Sequence, residues 1–295
     1  MYNMQKQYLN RARNELTEHL VYGKLALREK KPENRELLRK LSIQEKAHYE
    51  FWQSLISDIE VKPYFASLHL IPLLRSVLGV TFTTKFLETH EKNSVAIYEG
   101  MLATMPAERQ EHLKAIIEEE RTHEQSLIGE LKEQRVSYIG FIALGLADAI
   151  VEITGVHAGF LGVTRSTLIA GISGTIVGFS AAISMGSAAY LQAKQNPEKS
   201  AIISAFVTAF SYFGSVILLA LPYFLIRDMI SAFAISTSVG IVLLAMFTFY
   251  TSVVFDRKFI REFGEAAILM LSTAVASFIL GDVIGGVFHI GASSF

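Results

Sequence analysis

Five long apolar stretches in the second half of the chain constrain its fold more than any other feature. They lie at about 138–162, 167–191, 200–225, 230–255 and 265–290. Each is close to or above the roughly 20 residues that a helix needs to cross a bilayer. The sequence therefore predicts five membrane-spanning helices.

The charged side chains divide the chain in two. Of its 27 Lys and Arg and 28 Asp and Glu residues, 55 together, 40 lie in residues 1–136 and 15 in residues 137–295. We therefore expect an all-α protein with a polar domain at 1–136 and a membrane domain at 137–295. The net charge of −1 and the lack of a basic run argue against nucleic acid as a partner.

The polar domain carries the pattern of a helical metal site. Prolines and amphipathic spacing predict four helices, at about 4–30, 33–58, 81–104 and from 107 past His123. Two of them contain Glu-x-x-His, formed by Glu45 with His48 and by Glu120 with His123. Residues three apart lie on one face of a helix, so each pair offers a carboxylate and an imidazole to one point.

Two further glutamates complete this pattern. Glu15 lies 30 residues before Glu45, and Glu91 lies 29 residues before Glu120. Two helices with Glu-x-x-His that face two helices with an inward Glu form the di-metal site of ferritin-like four-helix bundles. A tyrosine follows seven residues after each of these glutamates, at Tyr22 and Tyr98. The sequence therefore predicts a ferritin-like bundle in the first half.

The ligand chemistry of this bundle favours a di-iron site. Carboxylates with imidazole suit iron or manganese, and zinc also occupies such sites. Glu18 and Glu88 lie one turn from Glu15 and Glu91, and are either alternate ligands or surface charges. The chain has no cysteine, which excludes thiolate ligands and a rubredoxin-type electron carrier.

An apolar segment, 68–80, lies between the second and third predicted helices. A buried crossover connection, as occurs in ferritin-like bundles, is one interpretation. A helix that lies at the bilayer interface is the other. We favour the buried crossover, since short apolar runs are usually core.

Acidic side chains occur within the predicted spans. Asp148 and Glu152 are four residues apart in the first span and therefore share a face. An ionised acid at membrane depth is costly unless it is paired or hydrated, so these two residues predict a functional site. Met185 in the second span offers a soft thioether ligand opposite them, with simple packing as its alternative role.

The small residues and the loop charges of the membrane half make two further predictions. Glycines four apart in three spans favour close helix packing and a dimer; they are Gly155 and Gly159, Gly174 and Gly178, and Gly281 and Gly285. Five basic residues follow the even-numbered spans, against two on the opposite side; they are Lys194, Lys199, Arg257, Lys258 and Arg261, against Arg165 and Arg227. The positive-inside rule then places the first half in the cytoplasm at the cell membrane, and the carboxyl terminus outside.

Both halves resemble known families. The first resembles the rubrerythrin-like branch of the ferritin superfamily through its two Glu-x-x-His helices. The second is similar to the vacuolar iron transporter family through Gly-Leu-Ala-Asp-Ala-Ile-Val-Glu at 145–152 and Ala-Ile-Ser-Met-Gly-Ser-Ala-Ala-Tyr-Leu at 182–191. Together they look like the membrane-bound ferritins, the ferritin-fused prokaryotic branch of that family. The resemblance implies a dimer that exchanges Fe²⁺ or Mn²⁺ for protons, with Asp148 and Met185 at its transport site.

Our leading hypothesis is a proton-coupled exporter of Fe²⁺, Mn²⁺ or both from the cytosol. The bundle would bind the metal first, with a ferroxidase or sensing role left open, and pass it to Asp148, Glu152 and Met185. The alternative is a membrane-anchored di-iron oxidase or peroxidase whose spans only anchor it. A metal sensor without turnover is a third interpretation.

Overall fold

The computed structural model describes residues 2–56, 59–122, 134–164, 166–196 and 198–289. These residues form ten α-helices and no strand, which confirms the predicted all-α class. The chain divides into two compact units, unit 1 at Met1–Gln134 and unit 2 at Arg135–Phe295. The helices are α1 (Tyr2–Arg28), α2 (Pro32–Gln53), α3 (Phe65–Leu78), α4 (Val80–Leu102), α5 (Ala107–Thr122), α6 (Gln134–Val163), α7 (Thr167–Lys194), α8 (Ala201–Leu225), α9 (Met229–Phe255) and α10 (Phe259–Phe288).

Proline marks two helix starts in unit 1. Pro32 is the first residue of α2, and Pro106 directly precedes α5. Its ring fixes φ near the helical value, and its missing N–H would have no intrahelical partner in the first turn. The predicted end of α2 at residue 58 is wrong, because the chain turns after Gln53. This turn returns Ile56 and Val61 to the core, where both are buried.

One hydrophobic core joins α1, α2, α4 and α5. Trp52 of α2, the only tryptophan of the chain, is fully buried at its centre. The centroid of its ring lies 5.0 Å from that of Tyr98 on α4 and 5.8 Å from that of Tyr8 on α1. Leu113 and Ile117 bring α5 into the same core. The four helices are therefore packed around a shared aromatic centre.

Helix α3 corresponds to the apolar segment between the second and third predicted helices, and it is only half buried. Ile71 and Pro72 are buried, and Ile71 packs in a core cluster with side chains of α1. Leu70, Leu73 and Val77 on the other side are exposed. The favoured expectation of a buried crossover is thus correct for one face of α3 and wrong for the opposite face.

A proline inside α3 is matched by a lysine on α1. In a continuous helix the carbonyl of Leu68 would accept a hydrogen bond from the N–H of residue 72, but Pro72 has no N–H. Lys24 Nζ donates to Leu68 O instead, at 3.0 Å. The lysine therefore replaces the donor that the proline removes.

Two more contacts fasten α3 to the end of α1. Arg28 Nη1 donates to the carbonyl oxygen of Pro72 at 3.0 Å, and Arg75 Nη2 lies 2.6 Å from Glu29 Oε2. After α3 the chain turns directly into α4 at Gly79, whose φ of 89° lies in the region that favours glycine. These contacts fix one face of α3 on unit 1.

Unit 2 contains five helices that are long and apolar enough to cross a membrane, which confirms the predicted number. The last of them, α10, begins at Phe259, six residues before the predicted start. Its first turns are polar, and the Arg261 and Glu265 side chains pair along the helix at 2.9 Å. Charged residues are compatible with a helix, so α10 includes them, whereas a prediction from hydropathy begins only at the first apolar residues.

The glycines of α6 and α10 let the two backbones touch. A Cβ at Gly281 would lie 2.1 Å from the carbonyl oxygen of Gly159, and one at Gly285 would lie 3.2 Å from Cα of Val163. Gly178 of α7 similarly makes room for Val216 of α8. The predicted close packing is therefore realised within one chain.

Candidate metal centre and span cavity

Four of the predicted ligands of unit 1 converge on one buried point. Glu15 comes from α1, Glu45 and His48 from α2, and Glu120 from α5. One ligand atom from each residue lies within 4.8 Å of the other three, and all four residues are buried. The helical spacing of three residues puts Glu45 and His48 on one face, as the sequence predicts. This group, the Glu15–Glu45–His48–Glu120 cluster, could hold a metal ion.

His48 lies at the centre of the cluster. Its Nδ1 is 3.1 Å from Glu120 Oε1, 3.4 Å from Glu45 Oε2 and 3.7 Å from Glu15 Oε2. Its Nε2 lies 3.0 Å from Glu119 Oε2, and the Glu119 side chain is 49% exposed. One imidazole nitrogen therefore faces the three buried carboxylates, and the other faces a carboxylate at the surface.

The electrostatics of the cluster follow from this crowding. Burial raises the pKa of Glu45 well above its ordinary value, and the charges of Glu120 and Glu15 raise it further. Burial also raises the pKa of Glu120. Burial alone would lower the pKa of His48, but the adjacent carboxylates of Glu120, Glu15 and Glu45 outweigh it and raise that pKa. A group of carboxylates this close favours a bound cation.

Glu15 differs from the other carboxylates of the cluster. Burial would raise its pKa, yet the proximity and the charge of His48 lower it below the ordinary value. The hydroxyl of Tyr98 also donates a hydrogen bond to Glu15 Oε1. Tyr98 is fully buried, so it orients one carboxylate oxygen of the cluster from α4.

Of the remaining predicted ligands of unit 1, only Glu18 has a described side chain, and it does not join this group. The side chains of Glu88 and Glu91 and the whole of His123 lie outside the described residues. Glu18, on α1, is partly exposed and is not one of the four clustered side chains. Of the predicted second Glu-x-x-His pair, Glu120 lies in the cluster and His123 lies outside the described residues.

In unit 2, the three predicted transport residues line a single cavity of about 510 Å³. Asp148 and Glu152 reach it from α6, and Met185 from α7. Ser180 and Ser184 add hydroxyls to the same wall. The cavity therefore combines two carboxylates, two hydroxyls and a thioether on the two helices where the sequence predicts a site.

Two residues at these sites escape the sequence patterns. Glu119 bonds to His48, but it stands in a run of three glutamates, and no spacing rule distinguishes it from Glu118. Tyr212 of α8 donates a hydrogen bond to Glu152, and a lone tyrosine in an apolar helix gives no signal of that role. Only the packing of α5 on α2 and of α8 on α6 reveals them.

Comparisons of the chain with protein-family models, with curated proteins and with solved structures find no match. The chemistry of the two sites is therefore inferred from their own residues. They provide a buried carboxylate and imidazole cluster in unit 1, and an acid-lined cavity among five candidate spans in unit 2.

Proposed function

We propose that the protein is a transmembrane exporter of divalent iron or manganese from the cytosol, coupled to protons. Unit 1 is a ferritin-like domain that captures the metal and presents it to unit 2. Unit 2 moves the ion through the cavity that Asp148, Glu152 and Met185 line. The observation that carries the proposal is this cavity, because carboxylates at membrane depth are costly unless they serve a cation or a proton.

The donor set of unit 1 supports the capture step. Three carboxylates and one imidazole on three helices are four of the six ligands of a ferritin-like di-metal site, and they suit Fe²⁺ or Mn²⁺, with Zn²⁺ also accepted. Metal binding requires His48 to lose the proton from the nitrogen that binds. Its other nitrogen then keeps its hydrogen bond to Glu119, which fixes the ring orientation.

The chemistry of the span cavity supports the transport step. Carboxylates bind either a hard divalent cation or protons, so Asp148 and Glu152 would exchange one for the other. The thioether of Met185 favours late transition metals over Mg²⁺ and Ca²⁺. A protein whose spans served only as an anchor would need none of these groups, and this favours the exporter over an anchored oxidase or peroxidase.

The exposure of Asp148 supports a homodimer. Its side chain is exposed on the surface of unit 2, in the middle of a candidate span. A carboxylate that faced lipid there would be strongly unfavourable. A second copy of the chain would enclose the cavity and shield it. The loop charges further support an amino terminus in the cytoplasm and a carboxyl terminus outside.

Metal flux into proteoliposomes tests the proposal. We expect Asp148→Asn and Met185→Ala each to lower the initial rate of Fe²⁺ or Mn²⁺ uptake about tenfold or more, since each removes a ligand of the moving ion. Glu198→Gln in the loop before α8 and Met246→Ala, whose side chain is exposed on α9, are the matched controls. Both should transport like the unchanged protein.

Two results would count against the exporter. Full transport by both cavity variants would exclude this path. Oxidation of Fe²⁺ by the unchanged protein without any flux would favour the membrane-anchored oxidase or peroxidase instead.

A further inference from the structure

The outer face of α3 exposes several large apolar side chains of unit 1 close together. Phe65, Leu70, Leu73 and Val77 are 76%, 54%, 62% and 75% exposed. Leu70, Leu73 and Val77 follow the helical spacing of three and four residues, so they form one stripe. Phe65 is exposed at the first turn but lies outside this stripe, with its ring against that of His69. With the neighbouring Ile59 and Tyr64, these residues concentrate apolar exposure in one short segment.

This face is held in a fixed orientation. Lys24 and Arg28 of α1 donate to backbone carbonyls of α3, and Glu29 pairs with Arg75. All three contacts lie on the side of α3 that is turned toward the core. The exposed stripe is therefore a permanent surface of unit 1, and contiguous apolar surfaces of this kind usually mark an interaction site.

The length and composition of α3 point to a lipid surface. Its 14 residues span about 21 Å, too little to cross a hydrocarbon core of about 30 Å. Residues 65–78 contain no acidic residue that would repel a bilayer surface. Their arginine, Arg75, pairs with Glu29 on the core side, and Lys62 before them pairs with Glu60. A short helix with an apolar face and no acidic residue suits the boundary between acyl chains and headgroups.

A short stretch of sequence joins unit 1 to the first candidate span. Helix α5 ends at Thr122, and the first candidate span begins at Val136. Unit 1 is therefore tethered to the membrane by a short segment, and a weak interfacial helix binds effectively at such high local concentration.

We propose that α3 lies on the bilayer surface and inserts Leu70, Leu73 and Val77 at the boundary between headgroups and acyl chains. This inference rests on the membrane-spanning character of unit 2 alone and on neither metal binding nor transport. It assigns to unit 1 a second contact with the membrane besides its covalent connection.

The absence of cysteine allows a direct test by site-specific labelling. The full chain carrying Leu73→Cys is labelled with bimane and reconstituted into vesicles of phosphatidylcholine and phosphatidylglycerol, with or without brominated acyl chains. We expect brominated lipid to quench the label about twofold or more and to shield it from aqueous iodide. Leu70→Cys serves as the second position.

Two labelled controls show the quenching expected in water and in lipid. Glu111→Cys on the exposed side of α5 should resist brominated lipid and be quenched by iodide, because that side chain is 84% exposed. Phe210→Cys, exposed on α8, should be quenched by brominated lipid. Failure at Phe210 would remove the membrane placement of unit 2, and with it the proposed function, whereas failure at Leu73 alone overturns only the α3 proposal.

A stripe that is exposed to water, or covered by a second copy of the chain, would give different results. Quenching of the Leu73 label by iodide and not by lipid would show a bare surface and overturn the proposal. Shielding from both quenchers, with bismaleimide cross-linking of two Leu73→Cys chains, would show that a second copy covers α3 and would overturn it equally.

Discussion

His48 connects the inside of the Glu15–Glu45–His48–Glu120 cluster to the surface of unit 1. Nδ1 faces three carboxylates and Nε2 bonds to Glu119, and both ring nitrogens carry a proton when the imidazole is protonated. The raised pKa of His48 agrees with that form. A positive imidazolium among buried carboxylates occupies the electrostatic role that a divalent cation would take over.

Glu119 is the residue through which this arrangement is most simply tested. We expect Glu119→Ala to weaken metal binding to unit 1 about tenfold or more, because an unsupported histidine ligand loses its orientation and some basicity. Binding is read from paramagnetic quenching of tryptophan fluorescence by Mn²⁺, since Trp52 lies 5.0 Å from the ring of Tyr98, which bonds to Glu15. Unit 2 has no tryptophan and stays silent.

Glu111→Ala on the same helix is the matched control. Its carboxylate pairs with Lys114 at the surface, so its removal should leave the Mn²⁺ titration unchanged. Equal affinity in the Glu119 and Glu111 variants would show that Glu119 has no part in the site.

At the scale of helices, the spacing of residues along the sequence predicts the site residues better than it predicts the side chains that contact them from other helices. Glu45 and His48 meet, and Asp148 and Glu152 share a cavity, because the helix itself fixes residues three or four apart. Glu15 and Glu120 join Glu45 as the repeated pattern predicts. The contacts from Glu119 and Tyr212 depend on how separate helices pack, and no local pattern encodes that.

The attachment of α3 to α1 predicts a pH-dependent stability. Glu29 Oε1 accepts the N–H groups of Lys30 and Lys31 at 2.9 and 3.0 Å, and its other oxygen pairs with Arg75. Burial would raise the pKa of Glu29, but these hydrogen bonds and the charge of Arg75 lower it below its ordinary value of 4.5. The ionised form therefore stabilises the folded state.

We expect Glu29→Gln to lower the free energy of unfolding of unit 1 by about 1–2 kcal/mol at pH 7, since it weakens charge-assisted hydrogen bonds. A lowered folded pKa means that this contribution is complete above pH 4.5 and is lost as the pH falls through the folded pKa. Urea unfolding followed by Trp52 fluorescence measures the difference, with the exposed Glu36→Gln as control. A difference that persists undiminished at acid pH would contradict this account.

At the scale of the whole molecule, the sequence predicts the number of spans and the all-α class because both follow from apolar length. The ends of helices are less accessible to prediction. The turn after Gln53 depends on Ile56 and Val61 reaching the core, and the early start of α10 depends on charges that hydropathy discounts. The role of the glycines also becomes clear only when α6 and α10 are seen in contact.

Gly281 tests how much unit 2 depends on that contact. We expect Gly281→Ala to destabilise unit 2 by about 1–3 kcal/mol, because the added Cβ would collide with the backbone of Gly159. Thermal unfolding of the full chain in detergent, followed by circular dichroism, should show a lower midpoint. Gly286→Ala lies on the same helix with nothing within 4 Å of the new atom, and should unfold like the unchanged chain. Identical midpoints for the two variants would exclude a close α6–α10 contact.

The hydrogen bond from Lys24 to the carbonyl of Leu68 has a consequence for how such a chain can evolve. The Lys24 side chain is needed as a donor to this carbonyl only while residue 72 is a proline, which has no backbone N–H. In descendants of this sequence, replacement of the proline would restore a backbone N–H donor, so the lysine could then be substituted without cost. Replacement of the lysine first would leave the carbonyl of Leu68 without a hydrogen-bond donor. The two positions, 48 residues apart, are therefore expected to change as a pair, with the proline replaced before the lysine.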